Sequence, residues 1–392
     1  MHAWIITTSA FNTTEPAIAS SHVLNTNGAR SADSWLTQTR EGTTLAGKDY
    51  ILDPGHPAAA NYIAAFYRSI VQNYDVDGIQ FDRVRYPDSG DNAYRPVWGY
   101  NRTSLSRFRL ETNRRDVPEP TDAVWSQWRR DQVTNLVRRV YLETKALKPQ
   151  VWVSAATIVY KAAPRTVEEF RTRRTYAEVL QDWVSWMQSG VLDLNLPMNY
   201  KRETVPEQVQ EFNGWTNFAV ATRGAGSVGV GAAIYLNSLS DSLKQYARGV
   251  AVRGVSGWVG YSYRTPDAET LAGRKTTPNA QRDLLRVFAG MPSAPFAGEA
   301  AWGRPDAQKL SGVLGRVTRD GAGASNVSVE LRGADGSSIL VRSDANGFYG
   351  TPNLPVGAVT VSALQNDAVA ASLETEATLG RVVNVPDLEI RP

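Results

Sequence analysis

Asp82 is the residue of this chain whose type and position best suit catalysis. In the run VDGIQFD, which ends at Asp82, apolar and polar residues alternate as they do in a β-strand. Gly78 and Gln80 therefore share a face with Asp82, whereas Ile79 and Phe81 lie on the other face. If this strand belongs to a parallel barrel, Asp82 falls at its C-terminal end, where barrel enzymes keep their chemistry. A carboxyl group there is placed to act as an acid, a base or a nucleophile.

The residues that follow form a predicted loop just above this strand end. The segment RVRYP presents Arg83, Arg85 and Tyr86 there. A purely structural role for Asp82, as a helix cap or as a partner of Arg85, is the alternative interpretation. The same alternation puts Asp77 on the face opposite Asp82, at the start of the strand, so a structural role is predicted for it.

Strand-like and helical runs alternate around this segment and must position it. The apolar strand-like runs are Ala3–Thr7, Val76–Phe81, Val151–Thr157, Val191–Tyr200, Val228–Leu236 and Gly254–Tyr263. The amphipathic, helix-like runs between them cover residues 57–72, 122–147, 178–189, 240–252 and 279–289. This alternation predicts a parallel α/β sheet.

The C-terminal part has a different character. Residues 291–308 are rich in Pro, Ala and Gly and are predicted to be a linker between a domain at 1–290 and a domain at 309–392. The second domain contains short alternating runs separated by turn sequences, which predicts an all-β sandwich. Val327, Val329 and Leu331 are expected to face its core.

The segment DVDGIQFDRVRYP resembles the motif of the glycosyl-hydrolase-like 10 family, formerly a domain of unknown function. HAWI, YILDPGHP, DWVSWMQSGVLDLNLPMNY, VGVGAAIY and GVSGWVGYSY resemble further landmarks of that family in the same order. The resemblance covers about residues 1–290 and implies a (β/α)8 TIM-type barrel and glycoside hydrolase activity. SGVLGRVTRDGAGASNVSVEL and the segment SDANGFYGTPNLPVGAVTVSA resemble carboxypeptidase regulatory-like, prealbumin-like sandwiches.

The chain departs from this family pattern in three ways. Family members usually read YDVDGIHFDDYRYP, so Arg83 replaces the second acid and Gln80 stands where His is common. Members also begin about two βα units earlier, so the barrel is expected to lack its first two units. We therefore expect an open partial barrel with a gap between Ala3–Thr7 and Gly254–Tyr263. A signal peptide is expected to have been lost with that segment, which implies a secreted or cell-envelope bacterial protein.

Glycoside hydrolysis usually needs two carboxyl groups, roughly 5–5.5 Å apart for retention and 6.5–9.5 Å for inversion. Asp82 is one, and the second stays open among Glu15, Asp88, Asp91, Glu203 and the absent segment. Asp193 begins its strand and is interpreted as structural. The proton donor of chitinases would fall on Val84, which argues against a chitinase proper. A substrate-assisted route through Asp82 remains open.

Aromatic, amide and cationic side chains at predicted strand ends suit a carbohydrate groove, because sugar rings stack on aromatic faces and amides bind hydroxyls. The predicted substrate-binding residues are Arg85, Tyr86, His22, Asn199, Tyr200, Tyr235, Asn237, Tyr261 and Tyr263. Core packing is the alternative for any single Tyr among them.

Composition and motifs exclude several other classes. The 392 residues include no Cys, 42% are hydrophobic, and the net charge is +3, as in a soluble globular protein without disulfides. The three histidines lack metal-ligand spacing, and no P-loop occurs, so no metal or cofactor is predicted. Gly224, Gly226 and Gly229 precede a predicted strand and not a helix, which argues against a dinucleotide site. The arginines of 102–139 are interleaved with acids, so nucleic acid is not predicted, and no run is long enough to span a membrane.

The leading hypothesis is a glycoside hydrolase acting on a cell-envelope N-acetylhexosamine glycan such as peptidoglycan strands. The C-terminal domain would then serve as a spacer or associate with the cell wall. One alternative is a non-catalytic carbohydrate-binding or adhesion protein, because Arg83 leaves Asp82 without an obvious partner acid. The third hypothesis is that the barrel catalyses a different reaction, such as deacetylation or group transfer.

Overall fold

The structure is a computed structural model that describes residues 1–13, 19–90, 93–290, 293–298, 305–306 and 309–391. Most of the predicted linker at 291–308 lies outside the described residues. The N-terminal elements are β1 (His2–Ile6), β2 (Ser9–Asn12), α1 (Val23–Asn27), β3 (Leu45–Ala46), β4 (Asp49–Ile51), α2 (Pro57–Asn73), β5 (Gly78–Asp82), α3 (Arg102–Thr112) and α4 (Ala123–Leu147).

The middle of the chain continues the alternation of strands and helices. Its elements are β6 (Trp152–Ile158), α5 (Val167–Thr172), α6 (Arg174–Ala177), α7 (Trp183–Gln188), β7 (Leu194–Met198), α8 (Pro206–Ala221), β8 (Ser227–Ala233), a 3₁₀ turn (Ile234–Leu236), α9 (Leu239–Val250), β9 (Val255–Tyr261), α10 (Ala268–Leu271) and α11 (Thr277–Phe288). The C-terminal strands are β10 (Ser311–Arg319), β11 (Ala322–Gly323), β12 (Ser328–Gly333), β13 (Ser338–Arg342), β14 (Phe348–Thr351), β15 (Gly357–Gln365), β16 (Ala368–Ala377), β17 (Arg381–Asn384) and β18 (Leu388–Glu389).

The predicted parallel sheet is confirmed. Its strands follow the order β1, β5, β6, β7, β8, β9, and they correspond to the six strand-like runs of the sequence. The glycine-rich segment before β8 leads into a strand, as predicted. A closed eight-stranded barrel is not seen in this order, so the barrel and the expected gap in it stay predictions.

Contacts between Cα positions divide the chain into two compact units. The first contains residues 1–153, 176–182 and 305–392, and the second contains residues 154–175 and 183–304. Both are described separately below.

In the first unit, β1 and β5 pair in parallel with His2 opposite Gly78 and Ile6 opposite Asp82. The predicted alternation along β5 is confirmed, because Ile79 and Phe81 are buried while Gln80 and Asp82 are partly exposed. The buried face packs on α2, where the ring of Tyr67 lies 4.8 Å from that of Phe81. A Cβ atom at Gly78 would approach the ring of His2 to 2.6 Å, which explains the glycine at the start of this strand.

The C-terminal part of the first unit is a β-sandwich, as the turn-rich sequence predicts. One sheet has the order β13, β12, β15, β16, and the other is built around β10, which pairs with β11, β14, β17 and β18. Val329 and Leu331 are fully buried in its core and Val327 packs against that core, so their predicted orientation is confirmed.

Helix α4 contacts this sandwich through charged side chains that are almost completely buried. Arg139 donates to Glu143 over 2.8 Å and to the amide oxygen of Asn61 over 2.8 Å. Its guanidinium group lies 3.8 Å from Asp344 and 3.9 Å from the ring centre of Phe348. A buried charge that loses its partner lowers the stability of the fold. This network therefore favours the observed packing of the sandwich on α4. Independent folding of residues 309–392 stays a prediction.

The second unit contains β7, β8 and β9, with the greater part of β6, as parallel neighbours. Helices α7 and α8 cover them with a cluster of buried aromatic rings. Trp183 contacts Phe170 and Phe218 at ring distances of 5.0 and 5.8 Å, and Trp215 lies 5.9 Å from Phe218. These large side chains supply the apolar area that holds the helices on the sheet.

We predict that Arg139→Met lowers the free energy of unfolding by about 3–5 kcal/mol, because it leaves the Glu143 carboxylate buried without its closest cation. The measurement is urea unfolding followed by circular dichroism. Arg102→Met, at an exposed position of α3, serves as the control and should change stability little. The double variant Arg139→Met/Glu143→Leu should recover part of the loss. A single variant as stable as the control would contradict this role.

Candidate functional site

Asp82 ends β5 with its carboxylate oriented by two hydrogen bonds. The indole Nε1 of Trp4 donates to Oδ2 over 3.0 Å, and the backbone N–H of Arg83 donates to Oδ1 over 2.7 Å. The Asp82 side chain is partly exposed, and Trp4 itself is 55% exposed on the same face of the β1–β5 pair. The carboxylate is thus held in one orientation and remains accessible from solvent.

The chain turns sharply after Asp82 at Arg83, whose φ of 50° lies in the left-handed region. The hydroxyl of Thr8 donates to the Arg83 carbonyl over 2.8 Å and stabilises this turn. Arg83 Nη1 donates to Asp49 over 2.7 Å, and the other oxygen of Asp49 accepts from Asn12 over 2.7 Å. The hairpin of β3 and β4 therefore supplies the counter-ion for Arg83.

Arg85 and Tyr86 occupy the predicted loop but have different surroundings. Arg85 Nη1 donates to Asp88 over 3.1 Å, while its Nε is buried without a hydrogen-bond partner. The Tyr86 hydroxyl donates to the fully buried Asp53 over 2.9 Å, and Tyr86 is only 1% exposed. Arg85 therefore has donor capacity left for a ligand, whereas the Tyr86 hydroxyl is engaged inside the protein.

A cavity of about 270 Å³ opens next to this loop in the first unit. It is lined by Thr8, Ala46, Gly47, Asp49, Ile51, Arg83, Arg85, Tyr86, Pro87, Asp88 and Gly90. Two guanidinium groups and two carboxylates are thus the charged groups on its wall. Asp49 was not a predicted site residue, since its hairpin offers no motif.

The side chain of Asp53 joins the loop before α2 to the loop after β5. Its Oδ1 accepts from the backbone N–H of Gly55 over 2.8 Å as well as from Tyr86. Burial raises the pKa of Asp53, and the hydrogen bonds from Gly55 and Tyr86 and the charge of His56 oppose that rise. Asp53 was also missed by sequence reasoning, because an acid beside Pro and Gly reads as a turn residue.

The candidates for the second catalytic acid lie in different surroundings. Asp88 lines the cavity and pairs with Arg85. Glu203, in the second unit, is 6% exposed and pairs with Arg248 over 2.6 Å. Glu15 and Asp91 lie outside the described residues. Asp193 immediately precedes β7, which agrees with its interpretation as structural.

In the second unit, three of the predicted tyrosines form one cluster at the ends of their strands. The rings of Tyr200 and Tyr261 stack at 5.6 Å, and that of Tyr235 meets each of them edge-on at 6.1 Å. Tyr261 is 42% exposed, so this cluster presents an aromatic face to solvent. Tyr263, two residues beyond Tyr261, is 55% exposed.

Asn199 and Asn237 are buried, and their amide groups bind the backbone. Asn199 Nδ2 donates to the carbonyl of Phe212 over 2.8 Å. Asn237 Nδ2 donates to the carbonyls of Lys201 and Ala233 over 2.9 and 3.0 Å. These contacts fix the orientation of both amide groups beside Tyr200 and Tyr235, and sugar binding by the two asparagines stays a prediction.

His22 caps α1 in the first unit, where its Nδ1 accepts from the backbone N–H of Leu24 over 3.2 Å. Its ring lies 6.5 Å from that of Phe11. His56 caps α2 and pairs with Asp33 over 2.9 Å. Within the described ranges, no group of three or more His, Asp or Glu side chains is arranged to hold a metal ion. None of the described helices has the length and apolar character to cross a membrane.

Comparison with known proteins gives one family and several distant relatives. The profile of a family described as Glycosyl hydrolase-like 10 matches residues 1–235, more than half of the chain. The glycosyl hydrolase DigH of Escherichia coli (strain K12) is 26% identical over 209 residues, which cover 51% of this chain and 42% of DigH. The glycosyl hydrolase YngK of Bacillus subtilis (strain 168) is 27% identical over 158 residues, covering 39% of this chain and 28% of YngK. The matched part is thus less than half of either relative.

Among solved structures, the PgaB (BpsB) glycoside hydrolase domain from Bordetella bronchiseptica aligns with a TM-score of 0.46 and 13% identity. The alignment covers 72% of this chain and 74% of that domain.

We predict that the free energy of unfolding of Asp53→Asn falls less with rising pH than that of wild type. Because burial raises the pKa of Asp53 in the folded state, the folded protein holds the carboxyl proton more tightly than the unfolded chain does. Protonation of Asp53 therefore stabilises the fold at low pH. This stabilisation is lost as pH rises through the folded pKa. Urea unfolding at several pH values from 4 to about 8 should show a smaller decline for Asp53→Asn than for wild type. The exposed Asp75→Asn is the control, and an unchanged decline in Asp53→Asn would disprove the prediction.

Proposed function

Because this chain belongs to the glycosyl hydrolase-like 10 family, we propose that it hydrolyses glycosidic bonds of a polysaccharide with Asp82 as its acid/base or nucleophile. The single observation that carries the assignment to Asp82 is its accessible carboxylate, oriented by Trp4 and by the Arg83 backbone at the end of β5. A carboxylate held in one orientation is what proton transfer or nucleophilic attack at a sugar requires.

Each oxygen of Asp82 accepts one hydrogen bond and keeps a free lone pair for the substrate. In a two-acid mechanism, a second carboxyl group works on the opposite side of the scissile bond. In a substrate-assisted mechanism, the acetamido oxygen of the substrate attacks the anomeric carbon in place of an enzyme nucleophile, and Asp82 protonates the glycosidic oxygen as its bond to that carbon breaks. The second route needs only the acid that the described strand end carries.

We propose a cell-envelope N-acetylhexosamine glycan, such as the glycan strands of peptidoglycan, as the substrate. The guanidinium groups of Arg83 and Arg85 on the cavity wall support a glycan that carries acceptors and negative charge. A bacterial, secreted or cell-envelope location follows from such a substrate and is part of the same proposal.

The tyrosine cluster of the second unit is proposed to stack on sugar rings. The C–H face of a pyranose packs on an aromatic ring, and the stacked pair of Tyr200 and Tyr261 offers a rigid platform with little entropy left to lose. The C-terminal sandwich is proposed to be a carboxypeptidase regulatory-like, non-catalytic module that associates with the cell wall.

A non-catalytic carbohydrate-binding protein is the second candidate, and one observation favours it. The two carboxylates on the cavity wall are each paired with an arginine, Asp49 with Arg83 and Asp88 with Arg85. Neither is an unengaged partner for Asp82, so binding without hydrolysis also fits this cavity.

We predict that Asp82→Asn lowers turnover of peptide-free glycan strands about 10²-fold or more, because the amide neither transfers the proton nor attacks the sugar. Release of reducing ends is the measurement, and Asp75→Asn, at an exposed position before β5, is the matched control. Full turnover by Asp82→Asn would remove Asp82 from the mechanism. Binding of glycan by wild type without any release of reducing ends would favour the second candidate.

Tyr261→Ala should weaken glycan binding by about tenfold, since loss of a central aromatic contact costs on the order of 1–2 kcal/mol. Isothermal titration with glycan oligomers checks this value. Tyr74→Ala is the control, because Tyr74 is 63% exposed and belongs to no aromatic cluster among the described residues. Equal affinity in both variants would show that the tyrosine cluster does not bind the sugar.

A further inference from the structure

We infer that the cavity lined by Arg83 and Arg85 binds the carboxylate of an acidic sugar unit. This inference rests on the proposed function, since it names the class of glycan that would enter the cavity beside the loop after Asp82, although Asp82 itself does not line that cavity. It concerns recognition, so it is tested by binding and not by turnover.

The first support is the unused donor capacity of Arg83. A guanidinium group carries five N–H donors in a planar fork, and carboxylates match that fork with two parallel hydrogen bonds. Asp49 engages only Nη1 of Arg83, and the described residues place no acceptor on its Nε or Nη2. The Arg83 side chain is 46% exposed, so these donors are reachable from the cavity.

The second support is Arg85, whose side chain is only 13% exposed. Its Nε has no partner although it is buried, and Nη1 is the atom that binds Asp88 and, over 3.4 Å, the carbonyl of Tyr86. A buried donor without an acceptor costs free energy in the empty protein. The part of the Arg85 side chain that is exposed lines the cavity, where a ligand acceptor would meet the guanidinium group.

The acids already present do not exclude another carboxylate. One guanidinium group can serve two carboxylates at once, as Arg114 of this chain does with Asp116 and Asp122. Arg83 and Arg85 together balance the charges of Asp49 and Asp88, so an incoming carboxylate meets a wall without net negative charge. The side chain of Asp49 is also turned toward Asn12, which occupies its second oxygen.

The size of the cavity and the identity of residue 83 point to the same ligand. About 270 Å³ lies just below the usual range of roughly 300–1,000 Å³ for small-molecule sites, which suits one sugar unit. Hydrogen bonds between a guanidinium group and a carboxylate are about twice as strong as those to a neutral hydroxyl.

The experiment measures affinity in the Asp82→Asn background, so that hydrolysis does not consume the probes. Three tetrasaccharides are compared by isothermal titration. The first alternates N-acetylglucosamine with N-acetylmuramic acid, the second is the same molecule with its carboxyl groups reduced to alcohols, and the third is tetra-N-acetylchitotetraose. We expect the acidic tetrasaccharide to bind at least tenfold more tightly than either neutral one, and this preference should decline as salt is added.

Arg83→Gln should reduce that preference to less than threefold, and Arg85→Gln should do the same. Arg102→Gln removes one positive charge from an exposed position outside the cavity and should leave the preference intact. Because Arg83 is half exposed, its variant is expected to fold, which circular dichroism checks, even if the more buried Arg85→Gln does not.

Equal affinity for the acidic and the carboxyl-reduced tetrasaccharides would overturn this inference, and so would an undiminished preference in Arg83→Gln. Failure of all three probes to bind also counts against it. The proposed hydrolysis fails on a different result, which is wild type that binds the acidic tetrasaccharide with the expected preference and releases no reducing ends.

Discussion

The parallel pairing of β1 with β5 is the constraint on which the candidate site depends. Ile6 opposite Asp82 places Trp4 on the same face as Asp82 and one pleat behind it, within hydrogen-bonding distance of the carboxylate. A shift of one residue would move every side chain of β5 to the other face and bury Asp82 against α2. The buried contact of Phe81 with Tyr67 opposes such a shift, so core packing on one face orients the carboxylate on the other.

The loop after β5 is shaped by partners that come from distant parts of the chain. Asp49 from the β3–β4 hairpin pairs with Arg83, and Asp53 from the loop before α2 accepts the hydroxyl of Tyr86. Buried polar groups need hydrogen-bond partners, and once RVRYP is enclosed each of its polar side chains requires one. Arg83 and Arg85 are the exceptions, because each keeps a donor that no described residue accepts, and both lie on the cavity wall.

The asparagines and the tyrosines at the strand ends of the second unit make different kinds of contact. Asn199 donates to the carbonyl of Phe212 in α8, and Asn237 donates to the carbonyls of Lys201 and Ala233. The phenol rings of Tyr200, Tyr235 and Tyr261 pack on one another and leave one ring face open. Amides are suited to the first role because they donate and accept at once, whereas tyrosine combines a rigid apolar face with a polar end.

The alternation of strands and helices, the two faces of β5 and the change to an all-β region were all predictable from the order of residues along the chain. These features depend on short periodic patterns of apolar residues, which neighbouring residues alone establish. The sequence also singled out Asp82 and the three tyrosines that cluster, because each ends a recognisable strand. The folded chain was needed to show that Asp49 and Asp53 belong to the site region and that the two asparagines donate to backbone carbonyls. It was also needed to show that Arg139 joins α4 to the sandwich, because such partnerships join residues far apart in the chain, and no local pattern encodes which distant groups meet.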